Sequence, residues 1–375
     1  MRRFISWLHR YVGLAAAVVL VMSGITGALI TFDGEIDRAA HPELRRVEPR
    51  PGGASVDTLV AGARAAWPRD PVRMLVFSES PGDAVEVWYR GSGMRAWLDP
   101  YDGRVLGLRD TRDSLTGILV DLHTNLLAGE MGRAVIGWFG LAAVLLVVLG
   151  TWLWWPRRGR WRQALTVKWD AGPARVWLDV HKVAGIVTGV FLVVIAATGA
   201  ALALPGVVTE PLLVAFTGAG AKQAAPASSS PVGPPASLDT MAQRARATFP
   251  EGRIMRLMMP ATPKAAVAIR MRLPGEIHQL GRTFVYFDQY DGRLLRADNV
   301  LESNLATRIH AWFYPLHTGA YGGMATRVLN VLFGLSLALI SLSGGWMWVR
   351  NRLAKRRAAA RQRGRAVVPD VESVR

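Results

Sequence analysis

The chain has 375 residues, of which 45 are Lys or Arg and 28 are Asp or Glu, giving a formal net charge of +17. Such a charge is typical of nucleic-acid-binding proteins, yet 51% of the residues are hydrophobic, which is unusual for a soluble basic protein. The sequence contains no cysteine, which excludes disulfides, iron–sulfur clusters and covalently attached c-type haem.

Four apolar runs of 22 residues each contain no charged residue: 11–32, 134–155, 183–204 and 328–349. Because about 20 apolar residues in a helix cross a hydrocarbon core of roughly 30 Å, each run predicts a transmembrane helix. The first run is too long for the apolar region of a signal peptide, and no A-x-A-like cleavage site precedes Asp33. We therefore interpret it as an uncleaved span.

The excess positive charge is concentrated in three short segments. Residues 1–10, 156–182 and 350–375 together hold 19 basic and 4 acidic residues, so they carry +15 of the +17. The positive-inside rule places these segments in the cytoplasm and the two long loops between them outside. The charge thus indicates the orientation of the chain in the membrane. The predicted partner of the spans is membrane lipid, and no nucleic-acid partner is predicted.

Comparison of the sequence with itself predicts a tandem duplication. His9 aligns with His181 at an offset of 172 residues, and His123 aligns with His317 at an offset of 194. Further matches between these two have intermediate offsets: Ser55 aligns with Ser237 at 182, and Asp99 aligns with Asp288 at 189. An offset that rises along the chain is what small insertions in the second half would produce. Each half then contains a span, an external domain and a second span, and the parallel halves are related by an axis roughly along the membrane normal.

Each external loop predicts a small α+β domain, because a Ser-capped helix precedes three strand-like runs and a Tyr-Asp-Gly turn. The predicted helices are 55–67 and 237–249, and the predicted strands are 72–77, 84–89, 94–98, 253–258, 265–271 and 283–287. The Pro- and Ser-rich stretch 222–236 predicts a flexible linker.

The predicted fold class is an α-helical integral membrane protein, a four-helix transmembrane bundle with two external α+β domains. The predicted parts are helix 1 (1–35), external domain 1 (36–120), helix 2 with an outer histidine (121–156), a cytoplasmic loop (157–176), helix 3 (177–206), external domain 2 (207–312), helix 4 with an outer histidine (313–350) and a basic cytoplasmic tail (351–375).

Four of the seven histidines occupy the aligned positions. His9 and His181 precede their spans on the cytoplasmic side, and His123 and His317 precede theirs on the external side. A two-fold axis brings like residues together on each face, which predicts two bis-histidine sites. Two imidazoles per site suit non-covalent b-type haem better than zinc or copper, which usually take three or four protein ligands. The predicted cofactor is therefore two haems b.

Four basic residues flank these sites. Arg10 and Lys182 directly follow the inner histidines, and Arg133 and Arg327 lie near the outer pair. They are candidates to bind haem propionates, although such positions also suit the interfacial cations of the positive-inside rule.

The outer histidines lie 11 residues before their apolar runs. A continuous helix would place them about 16 Å beyond the hydrocarbon edge. We therefore expect either a helix break that lets each histidine fold back, or a site within the external domains.

The other three histidines have no aligned partner. His310 lies seven residues before His317, with Pro315 interrupting the segment, and is an alternative ligand or a substrate contact. His41 and His278 are expected to be solvated surface residues.

The chain resembles the PepSY-associated transmembrane family over nearly its whole length. The motifs that carry the resemblance are W-L-H-R-x-x-G at 7–13, L-H-T at 122–124, G-T-W-L-W-W-P-R-R at 150–158, H-K-x-x-G at 181–185, L-H-T-G at 316–319 and the paired D-x-Y-D-G-R segments at 99–104 and 288–293. The resemblance is strongest to bacterial inner-membrane reductases of ferric siderophores, in which two b-type haems carry electrons to the periplasm. It implies His9, His181, His123 and His317 as iron ligands, a cytoplasmic or quinol electron donor, and a periplasmic ferric siderophore as acceptor.

Two other classes of function stay open. One is a haem-free PepSY-type membrane protein that binds or regulates another protein, and the other is an accessory subunit of a transporter. None of the four apolar runs contains an internal charged residue or histidine to mark a transport path. No G-x-G-x-x-G fingerprint follows a predicted strand, so the electron donor must be a separate molecule, and no catalytic residue is assigned.

Overall fold

The computed structural model describes residues 1–156, 158–221, 223–229 and 234–366. The helices are α1 (Arg2–Ile30), α2 (Asp33–Ala40), α3 (Pro42–Arg45), α4 (Val56–Ala66), α5 (Leu115–Asn125), α6 (Gly129–Trp154), α7 (Trp161–Ala164), α8 (Pro173–Ala203), α9 (Glu210–Thr217), α10 (Leu238–Thr248), α11 (Leu305–Thr318) and α12 (Gly323–Ala366). Within the described residues, four helices are long and apolar enough to cross a membrane: α1, α6, α8 and α12 with its preceding turn. Each contains most of one predicted apolar run.

The chain divides into two compact units. The helical unit comprises Met1–Ala28, Trp138–Ala197 and the chain from Val331 onward, and the sheet unit comprises Leu29–Gly137 and Thr198–Asn330.

The helical unit is built from close contacts between small and apolar side chains. Ala16 and Leu20 of α1 pack against Ala143 and Leu146 of α6. Helices α1 and α12 approach backbone to backbone, because a Cβ atom added to Gly24 would lie 2.5 Å from the carbonyl oxygen of Gly334. Small residues at such crossings are typical of helices packed within membranes.

The sheet unit contains one eight-stranded antiparallel sheet in the order β4-β3-β2-β1-β5-β6-β7-β8. The strands are β1 (Val72–Val76), β2 (Val85–Tyr89), β3 (Met94–Leu98), β4 (Val105–Asp110), β5 (Arg253–Met258), β6 (Val267–Arg272), β7 (Thr283–Phe287) and β8 (Leu294–Asp298). The sequence predicted two separate domains, whereas the structure joins them through β1 and β5. This pairing satisfies two strand edges that would otherwise expose unpaired backbone groups.

The six predicted strands are all observed, each within two residues of the expected ends. The outermost strands β4 and β8 were not predicted. Both lie largely at intermediate or full exposure, so their sequences lack the apolar alternation that identifies a half-buried strand.

Helices α4 and α10 cover one face of the sheet and enclose the main apolar core. Their N-termini are joined by reciprocal caps. The Asp57 carboxylate accepts a hydrogen bond from the Leu238 backbone N–H at 3.0 Å, and the Asp239 carboxylate accepts one from the Val56 N–H at 2.7 Å. Each helix thus uses an acidic side chain of the other to satisfy its terminal donors.

The helix leading to each of two spans is broken, as expected from the positions of the outer histidines. Between α5 and α6, Leu126 and Leu127 adopt φ values of +54° and +57°. Between α11 and α12, Gly319 and Gly323 adopt +73° and +67° around the 3₁₀ turn Ala320–Gly322. Left-handed backbone conformations end a right-handed helix and redirect the chain.

Pro315 does not interrupt its segment, which corrects the sequence prediction. Helix α11 continues through Pro315 to Thr318. Proline removes one backbone donor and strains the preceding turn. Pro315 is buried, and the helix persists through it. His310 and His317 therefore lie two turns apart on one helix.

Part of the predicted linker is attached to the sheet rather than free. Ala227 forms an isolated bridge with Ala265, and the Ser228 N–H donates to the Lys264 carbonyl at 2.9 Å. The Ser229 N–H donates to the Asp288 carboxylate at 2.6 Å. The linker positions 222 and 230–233, and positions 367–375 of the predicted tail, lie outside the described residues.

Candidate functional site

The structure brings His9 and His181 together in the helical unit. Their ring centroids lie 6.3 Å apart and their planes are nearly perpendicular, at 86°. The Nδ1 atom of His181 lies 3.0 Å from both the Ile340 carbonyl oxygen and the Ser343 hydroxyl. A carbonyl oxygen can only accept, so Nδ1 carries the proton and the Nε2 lone pair is available to a metal.

Glycines on neighbouring helices make room for these two rings. A Cβ atom added to Gly150 would lie 3.1 Å from Cε1 of His9, and one added to Gly344 would lie 3.4 Å from Cε1 of His181. At Gly150 the distances rise from Cε1 through Nδ1 to Nε2, which is 4.0 Å away. The Nδ1–Cε1 edge of His9 therefore faces the helix backbone. Its Nε2 atom is the ring nitrogen farther from that glycine.

Open space is also present beside His181. A Cβ atom added to Gly185, one turn further along α8, would meet nothing within 4 Å. This gap leaves room for a flat group next to the imidazole.

The sheet unit contains the second pair. The ring centroids of His123 and His317 lie 6.1 Å apart, with an interplanar angle of 44°. A Cβ atom added to Gly199 of α8 would lie 2.7 Å from Cε1 of His317 and 3.6 Å from its Nε2. The Nδ1–Cε1 edge of His317 therefore faces Gly199, just as the Nδ1–Cε1 edge of His9 faces Gly150. The break between α11 and α12 folds it back onto α8.

Both separations match the distance expected when two imidazoles bind opposite sides of one metal ion. An imidazole nitrogen lies about 2.0–2.1 Å from a bound metal and about 1.1 Å from its own ring centroid, so the two centroids should be about 6.3 Å apart. The observed values are 6.3 and 6.1 Å. Elsewhere in the described ranges, as at these pairs, no group of three or more His, Asp or Glu could hold a metal ion.

The cationic side chains expected near the first pair have other neighbours. The Lys182 ammonium forms an ion pair of 2.9 Å with Asp179, a carboxylate with no exposed surface. Arg175 donates to the same carboxylate at 2.8 Å. Arg10 is exposed. Lys182, which the sequence offers as a candidate for propionate binding or as an interfacial cation, neutralises a buried acid at the start of α8.

The two arginines expected near the second pair are also engaged. Arg133 donates to the Leu202 carbonyl oxygen at 3.0 Å. Arg327 donates to both carboxylate oxygens of Glu35, at 2.5 and 2.8 Å, and its guanidinium lies over the Phe32 ring. These contacts hold the ends of neighbouring helices together.

His278 is buried, which corrects the prediction of a solvated surface residue. Its ring stacks on Tyr314 at 5.1 Å and contacts the Arg270 guanidinium at 3.3 Å. Burial, together with the charge of Arg270 and neighbouring arginines, lowers its pKa to about 3. The sequence places His278 in a loop, and loops usually face solvent, but this loop folds onto the sheet.

His310 and His41 also differ in their surroundings. Nδ1 of His310 accepts a hydrogen bond from Arg282 at 2.9 Å. Burial and the Arg282 charge lower the pKa of His310. His310, predicted as an alternative ligand or a substrate contact, thus contacts an arginine in the structure. His41 is half-exposed and lies 3.4 Å from Glu43.

Sequence reasoning missed three arginines in the second half of the sheet unit: Arg270, which is buried, and Arg256 and Arg282, which are half-buried. The sequence did contain one indication of this difference between the halves, the length of a loop. The loop between β6 and β7 spans ten residues, 273–282, whereas the loop between β2 and β3 spans four, 90–93. The longer loop carries His278 and Arg282 to α11.

Comparison with known proteins addresses the whole chain. The family model of the PepSY-associated TM region matches residues 6–351. The protein belongs to the PepSY-associated transmembrane family. The match confirms the resemblance inferred from sequence motifs, and the matched span contains both histidine pairs of this PepSY-associated protein. Among curated proteins, no match to the chain is found.

Proposed function

We propose that this PepSY-associated protein is a di-haem b protein of the bacterial inner membrane that carries electrons to a periplasmic ferric siderophore or ferric chelate. The observation that carries the proposal is the geometry of the two histidine pairs. The ring centroids lie 6.3 and 6.1 Å apart, distances at which two imidazoles would hold one metal ion between them. His9 with His181 and His123 with His317 would each hold one haem, which would supply reversible one-electron iron chemistry.

In this proposal the protein's residues orient the ligands and exclude competing contacts. The Ile340 carbonyl and Ser343 hydroxyl hold the Nδ1 proton of His181, so that Nε2 is the ligating atom. Gly150, Gly344 and Gly199 admit the imidazole edges. Outer-shell hydrogen bonds of this kind fix ring orientation and raise ligand basicity.

The proposed arrangement includes a tandem duplication with one PepSY-like unit in each half. The mirrored strand order about β1 and β5 supports it, as do the reciprocal caps of α4 and α10. Both termini are proposed to be cytoplasmic, and the sheet unit periplasmic, because the three short basic segments satisfy the positive-inside rule. The proposed donor is a cytoplasmic protein or a quinol.

Haem quantification of the full chain tests the proposal. Protein purified in detergent from haem-replete cells should show reduced-minus-oxidised bands of b-type haem and two haems per chain. His181→Ala and His317→Ala should each reduce the content to about one, and the double variant to none. His41→Ala, a half-exposed histidine outside both pairs, is the matched control and should keep two. Colourless wild-type protein would overturn the proposal and favour a haem-free regulatory role.

The acceptor is tested separately. Dithionite-reduced protein mixed anaerobically with ferric chelates should be reoxidised, and ferrous iron should appear in equal amount to the electrons lost. A carrier that is reoxidised by oxygen but by none of a panel of ferric siderophores would contradict the proposed acceptor while leaving the haem assignment intact.

A further inference from the structure

The face of the sheet opposite α4 and α10 carries arginines stacked on aromatic rings. In the first half these arginines are paired with acids. Arg95 contacts Glu86 at 2.7 Å, and Arg45 contacts Glu86 at 2.9 Å and also Asp37. Arg109 forms a further ion pair with Asp37. The charges on this part of the face are therefore largely compensated.

The second half of the same face is compensated only in part. Arg272 pairs with Glu79, and Arg296 pairs with Asp298 at 2.9 Å. The ion pairs formed among the described residues do not include Arg256, Arg270 or Arg282. The nearby acid Glu276 uses its oxygens to accept from the backbone N–H groups of Leu273 and Arg282.

The three arginines instead contact neutral groups. The Arg270 Nε atom donates to the Gly281 carbonyl at 2.8 Å, and Arg282 donates to Nδ1 of His310 at 2.9 Å. The Arg256 guanidinium lies 5.7 Å from the Trp88 ring centroid, and its buried Nε atom has no hydrogen-bond partner within the described part of the chain. Donor capacity is therefore unused at this position.

The cluster is strongly cationic. Arg270 is only 8% exposed, and burial together with Arg282 and Arg256 lowers its pKa to about 9. Burial likewise lowers the pKa values of Arg256 and Arg282. All three guanidinium groups nevertheless stay protonated at neutral pH. Arg270 is buried and Arg256 and Arg282 are half-buried, and none of the three forms an ion pair within the described residues. Removing a cation from water without such a pair is costly, so an anion bound among them would be favoured.

A ligand can reach this cluster from solvent. The ring of Tyr314, which stacks on His278, is 43% exposed, so the group of residues around His278 borders the surface of the sheet unit. Guanidinium forks recognise carboxylates and other planar oxyanions by paired hydrogen bonds. The exposed ring of Tyr314 beside them suits a ligand with an apolar or ring surface.

We propose that Arg256, Arg270 and Arg282 form a binding site for a diffusible ligand that carries carboxylates or similar oxyanions. Resting on the proposed reductase function, this site is where an anionic ferric chelate docks. His278 and His310 position the guanidinium groups by accepting their hydrogen bonds. Cationic chelates are disfavoured by the same charges.

Direct binding to the full haem-loaded chain in detergent tests the site. The probes are citrate and gallium(III) citrate, which is redox-inert and separates binding from electron transfer. Arg282→Gln should weaken binding at least tenfold, because Arg282 contributes charge while its side chain contacts His310 rather than the core. Arg95→Gln, on the paired half of the same face, is the matched control and should change affinity less than twofold.

A second variant, Arg256→Gln, keeps the proposal testable if Arg282→Gln does not fold, and it should also weaken binding at least tenfold. Equal losses in Arg95→Gln and Arg282→Gln would overturn the site, as would failure of the wild-type protein to bind either probe. That failure is also the outcome expected if the cofactor's own carboxylates occupied these arginines. Haem content, measured on the same samples, tests the proposed function independently, since anion binding does not require that haem be present.

Discussion

On the face of the sheet away from α4 and α10, the first half of the chain pairs Arg45, Arg95 and Arg109 with carboxylates. The second half pairs Arg272 and Arg296, but the ion pairs of the described residues do not include Arg256 or Arg270. Asp37 and Glu86 neutralise the arginines around Trp97. Among the described residues, Arg270 donates to the Gly281 carbonyl oxygen and contacts His278, and Nε of Arg256 has no hydrogen-bond partner. The paired half is stabilised by its charges. Arg256 and Arg270 keep positive charges that are costly to bury without an acid and that can bind an anionic ligand. Corresponding strands of the two halves therefore differ in their proposed roles.

The histidine pairs show the opposite relation between the halves. Each pair takes one ring from each half, and equivalent glycines at 150 and 344 receive His9 and His181. Where the halves agree they build the candidate cofactor sites, and where they differ they build the candidate ligand site. Four sets of substitutions test this contrast.

The largest effect is expected from Asp37→Asn in the paired half. Asp37 is buried and accepts from Arg45 and Arg109, so its loss leaves two cations without their partner and should cost about 3 kcal/mol of unfolding free energy. Arg256→Met should lower the free energy of unfolding by far less than Asp37→Asn, because Arg256 forms no ion pair among the described residues. Thermal unfolding followed by tryptophan fluorescence compares them, and equal losses would contradict the contrast.

A graded effect is expected at the glycines that contact the histidines. Alanine at 199, 150 and 344 would place a Cβ atom 2.7, 3.1 and 3.4 Å from the nearest ring atom. Overpacking costs about 1–3 kcal/mol, so Gly199→Ala should release haem most readily and Gly344→Ala least. Haem dissociation rates measured by transfer to apomyoglobin check the order. A larger effect at Gly344 than at Gly199 would show that the rings move to other positions.

Acid sensitivity should arise in part from His278. Its folded pKa is lowered to about 3 from the ordinary 6.5, so below pH 6.5 the unfolded chain binds a proton that the folded chain does not. Stability should therefore fall as the pH drops from about 6.5 towards 3, by about 1 kcal/mol at pH 5.5. His278→Gln should reduce the difference in unfolding temperature between pH 7.5 and 5.5. An unchanged difference would place the acid sensitivity elsewhere.

The smallest effects should come from the equivalent helix caps. The Ser55 hydroxyl accepts from the Thr58 N–H at 3.0 Å, and the Ser237 hydroxyl accepts from the Thr240 N–H at 3.4 Å. Replacing either serine by alanine should cost about 0.5–1 kcal/mol, with Ser55→Ala at the upper end because its bond is shorter. Chemical unfolding midpoints would detect the difference. A cost above that of Asp37→Asn would contradict the assigned ranking.

Much of this fold could be predicted from the sequence because its signals are local. A span needs about 20 consecutive apolar residues, and a half-buried strand needs only a few alternating ones. The four spans and six of the eight strands were therefore predicted. The two histidine pairs were predicted because the two halves of the sequence align at those positions. In the structure the ring centroids of each pair lie 6.3 and 6.1 Å apart, which leaves space for one metal ion between the rings.

Tertiary structure alone decided the features that depend on distant residues. The edges of β1 and β5 join two predicted domains into one sheet, since each satisfies the other's backbone groups. The loop 273–282 buries His278, and α11 continues through Pro315, because packing around them outweighs local preference. Whether an arginine forms an ion pair also depends on residues far away in the sequence. Asp37 and Arg109, for example, are 72 residues apart. Composition shows that the chain is basic, but only the folded arrangement shows which charges are left without a partner.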